Sequence, residues 1–340
     1  MIIFKIAFRN IFRQKRRSIL TALTMFGGFT LAAISIGWSD GTYSTIIDMF
    51  TRNRLGHIQI HKQGYRDKPT IYKTIDNYQK VGDKISAIQG VETWTPRLFS
   101  AGIVSVGDNS NGAQIIGIDP ELENEATRFD KKLIKGKTFS KKPSHEAILG
   151  KGLAEVLEAE VGDEIVVVSQ AADGSIANDL YSIIGIIESG DQISDRMSFY
   201  LHLHDAQELF VLQGRIHEIA IIVNELGQVG NLTNKISNTL ENPDLEVASW
   251  KEFAKSFYQA MQADVRGMWI MLFVIILIVA VGVLNTVLMS VLERRREYGL
   301  MRAIGTKPRQ IIRLVLWEVS ILVLFSIIIG VGLSIIINSS

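Results

Sequence analysis

The chain has 340 residues, a formal net charge of +1, 47% hydrophobic residues and no cysteine. Without cysteine, a disulfide framework, a thiolate metal site and a cysteine nucleophile are all excluded. Charge is distributed unevenly: residues 1–39 carry six basic residues and no acid, whereas residues 40–266 carry 23 basic and 32 acidic residues. This sorting of charge along the chain is typical of a membrane protein rather than of a soluble enzyme.

The N-terminal segment, residues 1–17, has the pattern of an amphipathic helix. Basic residues lie toward its other faces, and its apolar side is formed by Phe4, Phe8, Ile11 and Phe12. The pattern predicts a cytoplasmic helix that lies in the membrane interface and contacts lipids. The alternative is that the segment simply continues the apolar run that follows.

Three long apolar runs predict three transmembrane spans, at residues 18–38, 268–292 and 311–337. A helix of about 20 residues reaches across the roughly 30 Å of a bilayer core. The first run is too long for a signal-peptide core, and Trp38-Ser39-Asp40 is a poor cleavage site, so we interpret it as an uncleaved anchor.

Lys and Arg near the span ends set the orientation. Both the N-terminus and residues 293–310 are rich in basic residues, which predicts that they are cytoplasmic. The acidic segment of residues 39–267 is then extracytoplasmic, in a multi-pass membrane protein with a cytoplasmic N-terminus.

The outer segment has the pattern of an α+β domain. Alternating or apolar runs predict strands at residues 57–61, 103–106, 165–168, 181–187 and 219–223, and helical spacing is found at 74–88, 153–158 and 229–240. The turn-rich stretches "VGDNSNGAQ" and "QAADGSIAND" predict hairpin tips. A Lys-rich stretch near residue 140 predicts two lobes, at about 45–140 and 141–250.

A search for catalytic chemistry gives little. The chain has no phosphate-binding G-x-x-x-x-G-K-[ST] loop, no G-x-S-x-G and no H-E-x-x-H. His202 and His204 would share one face of a strand, and His57 and His61 another, but exposed histidines on a periplasmic strand are the commoner case. We therefore expect no catalytic residue and no metal site, and no nucleic-acid partner.

The third span carries a carboxylate and a stripe of small residues. Glu318 lies near its cytoplasmic end, where an unpaired charge is costly, and we expect it to be protonated, to reach the interface or to pair with an inward Arg. Ser326, Gly330 and Ser334 follow at four-residue intervals, a spacing suited to close helix packing in a transmembrane bundle.

The loop between the second and third spans, "ERRREYGLMRAIGTKPRQI", resembles the R-x-E-[IF]-G-x-x-[RK]-A-[IL]-G signature of the FtsX-like permeases, the MacB and LolC/LolE type of ABC transporter membrane subunits. Tyr298 stands where the family has Ile or Phe. "FRNIFRQKRRSILTALTM", "GHIQIHKQGY" and "LGKGLAEVLEAEVGDEIVVV" are similar to other parts of the family, so the resemblance covers nearly the whole chain. The family has four spans, and the fourth is absent from this sequence, so we expect either a longer protein of which this is a part, which we favour, or a member that has lost its last helix. The resemblance also implies a location in the bacterial inner membrane, with the large domain in the periplasm.

This resemblance implies that the segment is a coupling helix for a separate cytoplasmic ATPase dimer, which would hold the ATP and Mg; no cofactor is expected in this chain. Leu300, Met301 and Ile304 would form the apolar contact, and Gly305 and Pro308 would end the helix and turn the chain back. The ATPase-coupling residues it implies are Glu293, Arg294, Arg295, Arg296, Glu297, Gly299, Leu300, Met301, Arg302, Ala303, Ile304 and Gly305. Other implied partners are a second permease copy or a homologous permease, and a periplasmic carrier or adaptor protein.

The implied function is a permease subunit that extracts and releases an amphiphilic cargo, with lipoprotein first among the candidates. Two alternatives stay open at the level of sequence. One is an FtsX-like regulator that switches a periplasmic partner such as a wall hydrolase. The other is a permease for peptide or macrolide efflux.

Overall fold

The computed structural model describes residues 2–13 and 15–338. Its helices are α1 Ile2–Arg13, α2 Lys15–Phe50, α3 Tyr78–Ser86, α4 Pro120–Thr127, α5 Lys151–Leu157, α6 Gln192–Asp195, α7 Leu203–Leu209, α8 Val229–Leu240, α9 Trp250–Phe253, α10 Lys255–Glu293, α11 Arg295–Ala303 and α12 Pro308–Asn338. Its strands are β1 Ile58–Lys62, β2 Ile75–Asp76, β3 Val91–Val106, β4 Asn109–Ile118, β5 Leu133–Gly136, β6 Glu146–Gly150, β7 Glu164–Gln170, β8 Ile176–Ile187, β9 Ser198–His202, β10 Arg215–Ile216, β11 Glu218–Val223 and β12 Leu245–Ser249.

The chain forms two compact units. The helical unit consists of residues 1–43 and 259–340, and the core domain consists of Ser44–Tyr258. In the helical unit, three helices are long and apolar enough to cross a membrane: Ile19–Phe50, Lys255–Glu293 and Pro308–Ile337. They cover the three predicted apolar runs except residue 18, and each is longer than the run it covers.

One ten-stranded mixed sheet runs through the core domain, in the order β12-β1-β11-β3-β4-β9-β6-β8-β5, with β7 paired to β3 and β8. Most neighbours are antiparallel, but β4 pairs with β9 and β6 with β8 in parallel. The predicted division into two lobes is not confirmed, because β5 and β6, on either side of residue 140, both pair with β8.

The period-two patterns of the sequence do become strands. All five predicted strand segments lie in or overlap β1, β3, β7, β8 and β11, and both predicted hairpin tips are confirmed. Gly107 turns the chain between β3 and β4 with a φ of 54°, and the amide of Ala171 donates to the carbonyl of Ser175 between β7 and β8. Glycine suits the first of these turns because it adopts a positive φ without a Cβ clash.

Two local predictions differ from the structure. The helix expected from residue 74 begins at Tyr78, because Ile75 and Asp76 pair with β10 and Asn77 takes a left-handed conformation, with a φ of 50°. His204 was expected on a strand beside His202, but β9 ends at His202. The His202 side chain accepts a hydrogen bond from the amide of His204 and so caps α7.

Two buried histidines of the core domain are held in the neutral form. Nδ1 of His217 accepts a hydrogen bond from the amide of Phe99, and Nε2 lies 3.2 Å from the carbonyl oxygen of Ile71. Nδ1 of His57 accepts from the amide of Val223 in the same way. Burial lowers the pKa of each imidazole from 6.5 to about 4.

We therefore expect the core domain to lose stability as the pH falls from about 6.5 to about 4, because in this window the unfolded chain binds protons that the folded domain does not. His217→Gln should make the melting temperature less dependent on pH across the same window. The measurement is thermal unfolding of the full chain at several pH values. An identical pH slope for the variant and the unsubstituted protein would contradict the assignment.

Candidate functional site

The short helix α11 lies between the apolar helices α10 and α12, and its ends are set by a few residues. The chain leaves helical geometry at Arg294, which has φ −92° and ψ 15°. At the other end Gly305 has a φ of 95°, its amide donates to the carbonyl of Arg302, and Pro308 is the first residue of α12. Glycine after a helix and proline at the start of the next one are the residues that such a turn favours. The turn predicted at Gly305 and Pro308 is confirmed.

One side of this connection is held by a buried ion pair. Nη1 of Arg294 lies 3.0 Å from Oε1 and 3.4 Å from Oε2 of Glu318 in α12. Only 6% of Arg294 is exposed, and Tyr298, one helical turn later, is also buried. The expectation that Glu318 pairs with an inward Arg is confirmed, and the pair removes the cost of an isolated carboxylate in an apolar helix.

An apolar cluster holds the same side of α11. Met301 packs against the buried side chains of Ala7, Leu314 and Ile321, which belong to α1 and α12. Residues 294, 298 and 301 have i, i+4, i+7 spacing and therefore share one helix face. The sequence-based prediction groups Met301 with Leu300 and Ile304, whereas the structure distinguishes it from them, because Met301 is partly buried against this cluster.

A second side of α11, about a quarter-turn around the helix from the held face, is exposed. Leu300 is 70% exposed and Ile304 is 79% exposed. They lie four residues apart, so they stand on one face. The remaining predicted coupling residues are also exposed: Glu293, Arg295, Arg296, Glu297, Gly299, Arg302, Ala303 and Gly305. Glu297 approaches Arg13 at 3.9 Å, but both side chains are solvated, so this pair contributes little.

The small residues of α12 pack closely against α2. Oγ of Ser326 donates a hydrogen bond to the carbonyl oxygen of Ala22, and a Cβ placed on Gly330 would lie 3.1 Å from Oγ1 of Thr30. Ser334 is buried and donates to the carbonyl oxygen of Val331 in its own helix. These contacts suit the close helix packing predicted for the stripe, while a closed bundle stays a prediction.

The segment predicted to form an interfacial helix is helical, as α1, Ile2–Arg13. Phe8 is 42% exposed, whereas Ala7 is buried in the cluster with Leu314 and Ile321. The side chains of Phe4, Ile11 and Phe12 lie outside the described residues. One face of α1 therefore packs on protein, and a membrane contact for the other face stays a prediction.

The core domain contains a buried charge network that the sequence patterns did not indicate. Arg97 of β3 contacts Glu123 of α4 through Nη2 at 2.7 Å and Nε at 2.9 Å, and Glu218 of β11 through Nη1 at 3.0 Å. Nε2 of His61, in β1, lies 3.1 Å from Oε2 of Glu218. The network joins three strands and a helix, and its residues are far apart along the chain, so no local sequence pattern marks it.

A cavity of the core domain opens beside this network. Its walls include aromatic side chains and two cations, among them Tyr65, the buried Arg97, Phe99, the partly buried Lys132 and Tyr200. Desolvation lowers the pKa of Lys132 to about 8, although the nearby Glu123 carboxylate opposes the shift. The cavity therefore combines apolar walls with polar groups.

Comparison with known families identifies the class of protein. Residues 18–239 match the family model of the MacB-like periplasmic core domain, and residues 269–340 match the model of the FtsX-like permease C-terminal region. The chain belongs to the FtsX/MacB-type family of ABC transporter permeases.

Individual relatives are distant but cover much of the chain. The lipoprotein-releasing system transmembrane protein LolC of Neisseria meningitidis serogroup B is 23% identical over 66% of this chain and 56% of its own length. The macrolide export ATP-binding/permease protein MacB of Campylobacter jejuni is 26% identical over 98% of this chain and 52% of its own. An ABC transporter permease of Methanocaldococcus jannaschii is 24% identical over 98% and 82%. The chain thus spans about half the length of the LolC and MacB relatives.

Proposed function

We propose that this chain is the permease subunit of an ABC transporter that carries ATP-driven motion from a separate cytoplasmic ATPase to the core domain, which then releases an amphiphilic cargo. The single observation that carries the proposal is α11, a short helix with one face held by the protein and a second face, that of Leu300 and Ile304, exposed. The family supports the general role, since ABC permeases work with an ATPase.

The bare face of α11 has the chemistry of a docking site. Leu300 and Ile304 present exposed apolar surface, and Arg295, Arg296 and Arg302 lie around it. Burial of one such apolar side chain contributes roughly 1.5–3 kcal/mol, and the arginines favour a partner with an acidic rim. A cleft with an apolar floor and acidic edges on the ATPase would satisfy both requirements.

The held face of α11 would pass a movement into the membrane. The Arg294–Glu318 pair and the packing of Met301 connect α11 to α12 and α1. If a bound ATPase displaces α11, these contacts favour a joint displacement of α12 rather than a local bend. Transmission beyond α12 to the core domain is part of the proposal.

The orientation rests on the positive-inside rule. Basic residues before the first span and in the loop from 293 to 310 favour a cytoplasmic position for both, and hence a periplasmic core domain in a bacterial inner membrane. A second permease copy or a homologous permease would complete the transporter, together with a periplasmic carrier or adaptor.

Two kinds of cargo have specific support. The similarity to LolC, a protein of a lipoprotein-releasing system, favours lipoprotein release. The similarity to the macrolide exporter MacB extends over 98% of this chain and favours efflux. We place lipoprotein first, and mass spectrometry of molecules that copurify with the intact complex distinguishes the two, since an acylated protein and a small macrolide differ greatly in mass.

We expect Leu300→Asp and Ile304→Asp each to weaken ATPase binding by about tenfold or more, because each places a carboxylate on the apolar floor of the contact, and a loss of 1.4 kcal/mol corresponds to tenfold. The measurements are copurification of an ABC-type ATPase with the full chain and ATP hydrolysis by the reconstituted complex. The matched control is Ile176→Asp, the same change at an equally exposed residue of the core domain.

Ile176→Asp should leave both the bound ATPase and its hydrolysis unchanged. If all three variants copurified the ATPase like the unsubstituted protein while inserting normally into the membrane, α11 would be a plain connector. If instead Ile176→Asp alone reduced binding, the ATPase would contact the core domain, and the proposed orientation would be wrong.

A further inference from the structure

Three side chains with metal-binding chemistry meet on helix α7 of the core domain. His204, Asp205 and Glu208 each offer one ligand atom, and these atoms lie within 4.8 Å of one another. His204 and Glu208 are one helical turn apart, so they share a face, and Nδ1 of His204 lies 3.7 Å from Oε1 of Glu208.

The burial of Asp205, and an oxygen atom that is unpaired among the described residues, are an independent indication of a bound cation. Only 3% of this residue is exposed, and its Oδ2 accepts no hydrogen bond from any of the described residues. A buried carboxylate oxygen without a partner is costly, and a bound cation would satisfy it. His204 and Glu208 are exposed, so an ion could reach the group from solvent.

We propose that His204, Asp205 and Glu208 bind one divalent zinc ion, with water as a fourth ligand. One imidazole nitrogen with two carboxylate oxygens is a donor set that zinc takes, and three protein ligands with an open position are usual for accessible zinc sites. Metal–ligand distances of about 2.0–2.2 Å place tetrahedral ligand atoms roughly 3.3 Å apart. The three ligand atoms lie within 4.8 Å of one another, so binding an ion requires the exposed His204 and Glu208 side chains to move closer to Asp205.

Two neighbouring histidines have other roles. Nδ1 of His202 accepts a hydrogen bond from the amide of His204, which fixes the start of α7. Nε2 of His145 lies 3.2 Å from Asp179. The site is therefore defined by the three residues of α7, and His202 is a positioning residue for the first of them.

The test is calorimetric titration of the tag-free full chain, stripped with a chelator, with zinc chloride as the only ligand. We expect one saturable site per chain, and we expect His204→Gln and Glu208→Gln each to weaken it by about tenfold or more, as loss of a metal-site residue commonly does. Both residues are exposed, so neither change should disturb folding, which circular dichroism checks. The matched control is Glu125→Gln, an exposed acid of α4, which should bind zinc like the unsubstituted chain.

Absence of saturable binding to the unsubstituted chain would overturn the proposal. So would variants at His204 and Glu208 that bind zinc as tightly as the control, since the ion would then occupy another site. A loss of binding in the Glu125→Gln control equal to that in the other variants would show general attraction to acidic surface and would also overturn it.

Discussion

Arg97→Met is expected to lower the free energy of unfolding of the core domain by about 3–5 kcal/mol, since removing one member of a buried ion network leaves uncompensated charge. Arg97 is buried and contacts Glu123 and Glu218, both of them buried. Methionine fills a similar volume but neutralises neither carboxylate. For a domain of this size, such a loss corresponds to a melting temperature lower by roughly 10 °C.

A triple variant distinguishes destabilisation by uncompensated charge from destabilisation by lost packing. Arg97→Met combined with Glu123→Gln and Glu218→Gln removes the stranded charges and keeps hydrogen-bonding groups for Thr95, Thr127 and His61. It should recover a large part of the lost stability, because a buried ion pair adds little over neutral groups of similar size. If the single variant melted within about 2 °C of the unsubstituted protein, its free energy of unfolding would have fallen by less than about 1 kcal/mol. Removal of Arg97 would then not leave the costly uncompensated charge that we expect.

The second large effect is expected when the ion pair between Arg294 and Glu318, which connects α11 to α12, is broken. Arg294→Leu is expected to be more harmful than Glu318→Leu, although both break the same pair. Without Arg294, a carboxylate remains inside an apolar helix, where an ionised group costs roughly 2.5–3.5 kcal/mol at the centre of a span and less toward its end. Without Glu318, the long Arg294 side chain can extend toward the interface.

Charge reversal provides the control for this pair. The double variant Arg294→Glu with Glu318→Arg keeps the attraction and should recover most of the thermal stability and the ATP hydrolysis of the reconstituted complex. The measurements are thermal unfolding in lipid nanodiscs and ATPase activity for the two single variants and the double variant. Equal behaviour of the three variants would mean that the pair does not hold α11 to α12.

Local patterns in the sequence predicted much of this architecture. Apolar runs of about 20 residues predicted the three long helices, and period-two alternation predicted strands such as β1 and β11. The residues that make up each of these patterns lie within a few positions of one another along the chain. The turn at Gly305 and Pro308 was predicted for the same reason, since the residues that make it are adjacent.

Contacts between distant parts of the chain were not predictable in this way. Arg97 and Glu218 are 121 residues apart, and a single charged residue in a strand is indistinguishable from a solvated one until the sheet is assembled. The inward direction of Met301 depends on Ala7 and Leu314, which lie at opposite ends of the chain. The continuity of the sheet across residue 140 likewise depends on the parallel pairing of β6 with β8.

The central claim is that the bare face of α11 contacts the ATPase, and cysteine crosslinking tests it most directly. The chain has no cysteine, so single cysteines can be placed at Leu300, Ile304, the inward-facing Met301 and the exposed Ile103 of the core domain. With a short bifunctional maleimide, Leu300→Cys and Ile304→Cys should crosslink to a cysteine-bearing ATPase in the assembled complex, while Met301→Cys and Ile103→Cys should not. Crosslinks from Ile103→Cys, or none from Leu300→Cys and Ile304→Cys in a complex that still hydrolyses ATP, would contradict the account.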